Sequence, residues 1–191
     1  MEYDKYLSGL QSLKNPSCSF NVREARLDDA FLVSLVVNTA FVEGDAWFKK
    51  PEYHLRFDTA GKRMTQLIEQ ENSKILVAET ADDSKQLVGA VLLDWKDTVG
   101  HWGALSCPRK YAGRGVGSKL VQAAIEFFQS IESIERIEIP VLSTKNERLI
   151  AWYEKRHGLK PIEGEYDFVA PNIVLDEHKG KIKMISMERS V

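Results

Sequence analysis

The stretch Leu105-Ser-Cys-Pro-Arg-Lys-Tyr-Ala-Gly-Arg-Gly-Val-Gly-Ser-Lys-Leu120 decides the reading of this chain. It is entered through an apolar run, Val99 to Cys107, that reads as a strand. Three glycines follow at alternate positions, Gly113, Gly115 and Gly117, and then Val116, Leu120, Val121, Ala124, Ile125 and Phe128 recur at helical spacing. Glycine permits positive φ and, having no Cβ, lets a ligand approach the backbone. Free N–H groups at a helix start, aided by the helix dipole, form an anion site. From Thr98 to Ile125 there is no Asp or Glu, whereas Arg109, Lys110, Arg114 and Lys119 are present. In a chain of net charge −2 this local excess points to a phosphate ligand. A glycine-rich turn with no ligand is the structural alternative.

Two common phosphate motifs do not fit. A P-loop needs Gly, four residues, then Gly-Lys-Ser/Thr, an order absent here; a dinucleotide fingerprint needs a third Gly where Ser118 stands. That fingerprint also closes the first strand of its unit, and about a hundred residues precede this loop.

Working outward, 191 residues suit one domain with a sizeable core. The 43% hydrophobic and 28% charged content is ordinary for a globular protein. A pI near 6.1 argues against a nucleic-acid binder. No apolar run approaches the roughly 20 residues that span a bilayer, so no membrane partner is expected. The start, Met1-Glu-Tyr-Asp-Lys, has no apolar signal region. Cys18 and Cys107 form no metal motif and read as reduced thiols. The expected compartment is the cytoplasm, with the nucleus left open.

In chain order, residues 1–19 read as an arm or short helix and 20–191 as the domain. Phe20–Ala25 alternates as a strand, and Asp28 is a candidate N-cap for a helix from Ala30 to about Phe41. Val42 to Tyr53 reads as a loop holding Glu43, Asp45, Trp47 and Phe48; Pro51 to about Gln70 reads as a second helix that Gly61 could break. Strands follow at Lys74–Glu79 and Gln86–Asp94, joined by the turn Ala81-Asp-Asp-Ser. After the loop helix come a strand at Arg136–Leu142, a helix at Asn146–Arg156 stopped by His157-Gly158, and a strand from Gly158 to Ile162. Glu163 to Gly180 reads as a long acidic connection with Glu165, Tyr166, Asp167 and Phe168, before a last strand at Lys181–Glu188.

The loop Ala112-Gly-Arg-Gly115-Val-Gly117 resembles the pyrophosphate loop of the GCN5-related N-acetyltransferase (GNAT) superfamily, Gln/Arg-x-x-Gly-x-Gly/Ala. Ala112 departs from the Gln/Arg position, removing one side-chain contact and leaving the backbone cradle. Asn146-Glu-Arg-Leu-Ile-Ala-Trp-Tyr153-Glu-Lys-Arg-His-Gly-Leu-Lys is similar to the family's Asn-x-x-Ala-x-x-Phe-Tyr-Glu-Lys-x-Gly-Phe segment. The resemblance covers about Phe20 to Arg189. It implies an α/β GNAT fold, a mixed central sheet of about seven strands flanked by about four helices.

It further implies acetyl-CoA as co-substrate, with no metal, and an amine acceptor, either a small molecule or a peptide; a homodimer is left open. The cofactor would be held by the backbone of Leu105, Ser106 and Cys107, by the loop and helix start Ala112, Gly113, Arg114, Gly115, Val116, Gly117 and Ser118, and by Asn146. Asn146 and Tyr153 are two helical turns apart and share a face. By resemblance Tyr153 is the candidate acid for the leaving thiolate, against a plain half-buried aromatic; Asn146 could equally be an N-cap. His101 lies six residues before Cys107, hence on the same strand side if no bulge intervenes. Neutral imidazole suits a general base; the alternative is a structural His at a strand start, with water as base. Glu43, Asp45, Trp47, Phe48, Glu165, Tyr166, Asp167 and Phe168 form the expected acceptor region, where acids with aromatics would suit a cation. No His/Cys/Asp/Glu set has metal-ligand spacing.

Overall fold

The computed structural model describes residues 19–44, 61–144, 146–168 and 180–191. The amino-terminal arm up to Cys18, together with Asp45, Trp47, Phe48, His54 and His178, lies outside the described residues.

Strand β1 (Phe20–Glu24) is followed by a 3-10 turn (Leu27–Asp29) and helices α1 (Ala30–Gly44) and α2 (Lys62–Glu69). Strands β2 (Ser73–Thr80), β3 (Leu87–Lys96) and β4 (Val99–Ser106) lead to a second 3-10 turn (Arg109–Tyr111) and α3 (Val116–Gln129). Then come β5 (Arg136–Leu142), α4 (Glu147–His157), β6 (Lys160–Pro161), β7 (Tyr166–Asp167) and β8 (Lys183–Ser190). The sheet has eight strands in the order β1-β2-β3-β4-β5-β8-β6, with β7 also on β8. Every pairing is antiparallel except β4 with β5.

The acidic connection is thus interrupted by β7, a two-residue strand that the sequence pattern does not announce. The capping acid is Asp29, not Asp28: its carboxylate accepts from the Arg26 N–H at 2.7 Å and from Arg23 at 2.6 and 3.1 Å. Burial opposes ionisation of Asp29, yet the bonds from Arg23 and Arg26 hold its carboxyl below the ordinary range. Arg23 also reaches Glu79 at 2.8 Å, tying the turn to β2.

Each sheet face carries one apolar layer. On one face Val33, Val36 and Val37 of α1, with Met64 and Leu67 of α2, bury against Ile75, Val77, Leu87, Ala90 and Ala104. On the other, α3 lays down the stripe read from the sequence: Val116, Leu120, Val121, Ala124, Ile125 and Phe128 are all buried. They pack with Trp102, Tyr111, Ile137, Ile139 and Tyr153. Helix α3 sits close because β3 and β4 present glycines to it. A Cβ at Gly89 would come within 2.6 Å of Val116, and one at Gly100 within 2.6 Å of the Phe128 ring. Among the described residues no helix is long and apolar enough to cross a membrane.

Candidate active site

The glycine loop begins on a rigid base. Tyr111 is buried, its hydroxyl bonds to Gln86 at 3.1 Å, and its ring meets Phe20 edge-on. From there the backbone turns through Ala112 to Gly113 at φ +73° and Gly115 at φ +90°. Both are left-handed, a region that side chains other than glycine enter at a cost. The first α3 backbone bond is Lys119 N–H to Gly115 C=O at 3.0 Å. The N–H groups of Val116, Gly117 and Ser118 therefore precede the ladder and have no acceptor within the helix. Nothing lies within 4 Å of where a Cβ would stand at Gly113 or Gly115. These residues fit the pyrophosphate of a CoA-type ligand: open backbone, free donors and the positive end of a helix dipole. Lys119 is already committed, its ammonium donating to the Phe20 carbonyl at 2.7 Å.

Beside the loop the sheet opens. Strands β4 and β5 pair only at Val99↔Arg136, Gly100↔Ile137 and His101↔Glu138, and then part. Two local causes coincide. On β5, Pro140 has no N–H to give to a ladder. On β4, the register with β3 slips between Leu92↔Gly103 and Ala90↔Ser106, and Ala104 takes φ +49°: a bulge bends the strand away. The parting leaves a cavity of about 260 Å³ lined by Phe41, Trp102, Gly103, Ala104, Leu105, Pro140, Val141, Leu142, Asn146, Leu149, Tyr153, Phe168 and Met184.

Asn146 and Tyr153 share this lining, as their spacing predicts. Asn146 occupies the N-cap position of α4 but its side chain makes no capping bond. Tyr153 is 5% exposed, packed on Trp152 and Trp102 with ring centroids 4.7 and 6.2 Å away. Burial pushes its phenol up to about 12, so the hydroxyl keeps its proton at neutral pH. Leu105 lines the cavity; Ser106 is buried with its hydroxyl on the Ala104 carbonyl at 2.6 Å; Cys107 follows, half-buried. Burial, with the Glu43 carboxylate, raises the Cys107 thiol to about 11.

His101 is not brought to this group. Its Nδ1 lies 2.9 Å from the Glu138 carbonyl, and it pairs with Asp94 across β3. Gly100 and Trp102 face α3, so His101 between them faces the other way. Leu105 and Cys107 pack with the layer that holds Trp102, because the bulge at Ala104 shifts the alternation. The condition on which His101 shared a side with Cys107 is therefore not met. Three acids of the expected acceptor region lie among the described residues, and each has a partner. Glu43 accepts from the Arg109 N–H at 2.7 Å, Glu165 from Ser143 at 2.8 Å, and Asp167 pairs with Lys183 at 2.5 Å. Phe41, Trp102 and Pro140 are cavity residues that motif reading missed. Gly103 and Pro140, both inside strand patterns, were the available signal of a broken ladder. No group of three or more potential metal ligands occurs among the described residues.

The model of the acetyltransferase (GNAT) family matches residues 32–159, more than half of the chain, and the chain belongs to that family. It is an N-acetyltransferase of a family that uses acetyl-CoA. Similar solved structures include a GNAT-family acetyltransferase from Streptococcus pneumoniae, 23% identical over 91% of this chain and 100% of that one, with a TM-score of 0.68. Ribosomal-protein-alanine N-acetyltransferase from Brucella melitensis is 16% identical over 90% and 99%, TM-score 0.67. Spermidine N-acetyltransferase from Vibrio cholerae, solved with CoA and spermine, is 15% identical over 90% and 95%, TM-score 0.66. At these identities the likeness concerns the fold. No curated protein matches the sequence.

Proposed function

We propose that this enzyme transfers the acetyl group of acetyl-CoA to the primary amine of a small, partly apolar molecule by direct attack within a ternary complex. The observation that carries the reading is the sequence along β4: a gap between β4 and β5 with Tyr153 at its wall, then the glycine cradle that follows the same strand. Bound acetyl-CoA supplies an acyl carbon activated as a thioester. The loop N–H groups bind its pyrophosphate end, and the backbone of β4 beyond His101, where pairing with β5 has stopped, holds the arm. Asn146 faces the same space and orients what lies there. The buried phenol of Tyr153 stays protonated and offers its Oη proton to the leaving sulfur. None of the described cavity-lining side chains is a carboxylate or an imidazole, so the amine arrives neutral and its proton leaves through water. The apolar lining that the described residues give the cavity, with Phe41, Leu105, Val141, Leu142, Leu149, Phe168 and Met184, favours an amine on an apolar body.

The test is CoA release measured against a panel of arylalkylamines, amino sugars, polyamines and amino-terminal peptides, with parent and Tyr153→Phe. Arylalkylamines or similar small amines should be acetylated fastest. Tyr153→Phe should lower kcat by roughly ten- to a thousand-fold, within the range for acid–base groups, with little change in acetyl-CoA affinity. Tight CoA binding without release to any amine would mark a silent binding module. Preference for peptides would replace the small-molecule acceptor.

A further inference from the structure

The cavity wall holds a further polar group that nothing above uses. Trp102 is 3% exposed, lines the gap, and packs its ring 6.2 Å from that of Tyr153 at an interplanar angle of 43°. Its Nε1 is buried and has no hydrogen-bond partner. An indole N–H can only donate, and leaving one buried and unpaired is costly. Such an orphan inside a reaction cavity calls for an acceptor that comes within bonding reach when the site is loaded. The adjacent candidate is the Tyr153 oxygen, carried by the ring that packs against the indole. Hydrogen bonds that are long before substrate binds commonly tighten in the loaded site.

We propose that Trp102 is a positioning residue for proton transfer: its Nε1–H closes a hydrogen bond to Tyr153 Oη in the loaded site and holds that oxygen as it gives up its proton. The inference rests on the reading of Tyr153 as the proton donor. The need for such a donor follows from acidity. A phenol raised to about 12 is a weaker acid than an ordinary thiol, so proton delivery to the thiolate is uphill. A donor aimed at the nascent phenolate reduces that gap. In the step, the Oη–H bond breaks and an S–H bond forms, the oxygen keeps its electron pair, and Nε1 retains its proton. Water returns to Oη the proton that the amine nitrogen loses on forming the amide. One thioester and one neutral amine give one amide and one thiol.

Two measurements test this. In ¹H–¹⁵N spectra, unreacted CoA should move the Trp102 indole proton downfield in the parent and leave it unmoved in Tyr153→Phe, a readout that needs no turnover. In kinetics, Trp102→Phe keeps the apolar ring and removes the donor: kcat should fall about ten-fold, with the Kd for CoA within about three-fold. Combined with Tyr153→Phe it should cause no further loss, because the donor then has nothing to hold. An equal indole shift in Tyr153→Phe, or losses that multiply in the double variant, would overturn the proposal while the slow Tyr153→Phe enzyme still supported the donor reading. Full kcat in Tyr153→Phe would remove the donor reading itself and the transfer role of Trp102 with it. If Trp102→Phe does not fold, the spectral comparison alone decides.

Discussion

Replacing Gly115 separates the ligand cradle from the fold. In Gly115→Ala the new Cβ meets no atom within 4 Å, so its cost is confined to the backbone, held at φ +90°. A non-glycine residue there loses about 1–2 kcal/mol. For a chain of this length each kcal/mol lowers Tm by roughly 2–4 °C, so Gly115→Ala should melt about 2–8 °C below the parent. Gly115→Glu should melt close to Gly115→Ala, since its side chain also projects into open space. Binding should differ sharply. A carboxylate about 5 Å from a phosphate, at an effective dielectric constant near 20, is repelled by roughly 3 kcal/mol, about a hundred-fold in Kd. Thermal unfolding without ligand and calorimetric titration with CoA measure the two effects separately. Raising the salt concentration should recover part of the Glu variant's affinity, because partly exposed charges are screened. A Gly115→Glu protein that binds CoA with the parental Kd would refute the assignment of this loop as the phosphate cradle.

Other perturbations address the surroundings of the site. Gly89→Ala pushes a methyl into Val116 and the Ser106 carbonyl; it should cost about 1–3 kcal/mol and weaken CoA binding by displacing the start of α3, and parental affinity would show that the start of α3 does not set the cradle. Burial, together with the charges of Arg189 and Arg156, depresses the pKa of His157 in the folded protein. The unfolded chain then takes up the proton first, so this contribution is intact above about pH 6.5 and lost as pH falls. His157→Phe keeps a ring against Trp152, leaves no orphaned nitrogens, and should flatten the dependence of the urea midpoint between pH 5 and 7; an unchanged slope would assign the acid loss elsewhere. Cys107, raised to about 11, should alkylate at pH 8 on the order of a hundred-fold more slowly than a free thiol. Measured in a Cys18→Ser background, a rate equal to that of free cysteine would contradict its burial beside Glu43.

The parts of the fold legible in the sequence are those where one periodicity governs one surface. The α3 stripe was readable because six apolar residues at helical spacing meet one sheet face. Strand β5 was readable because Arg136–Leu142 is bounded on both sides and rich in branched residues. Asn146 and Tyr153 came together because a single helix fixes both. Features that depend on two separated segments were not legible. The bulge at Ala104 exists through the mismatch of β3 and β4, and it turned the face on which His101 was expected. Strand β7 is only two residues long and owes its existence to β8. The acids of the acceptor region are loop charges by sequence, and only the folded chain supplies Arg109, Ser143 and Lys183 as their partners.

The three-residue join between β4 and β5 gives this sheet an edge at its centre. Edges normally sit at a rim, where they recruit other chains. Here the open donors and acceptors face a slot between the two halves, and an extended ligand with amides of its own can dock there as a temporary strand. Occupancy then changes more than affinity. The half built on β1–β4 and the half built on β5–β8 share few backbone bonds, and the apolar layer under α3 is what spans them. A ligand laid along the slot bridges both. Hydrogen exchange of the amides from Gly103 to Ser106, compared with and without CoA, measures how much that bridge adds.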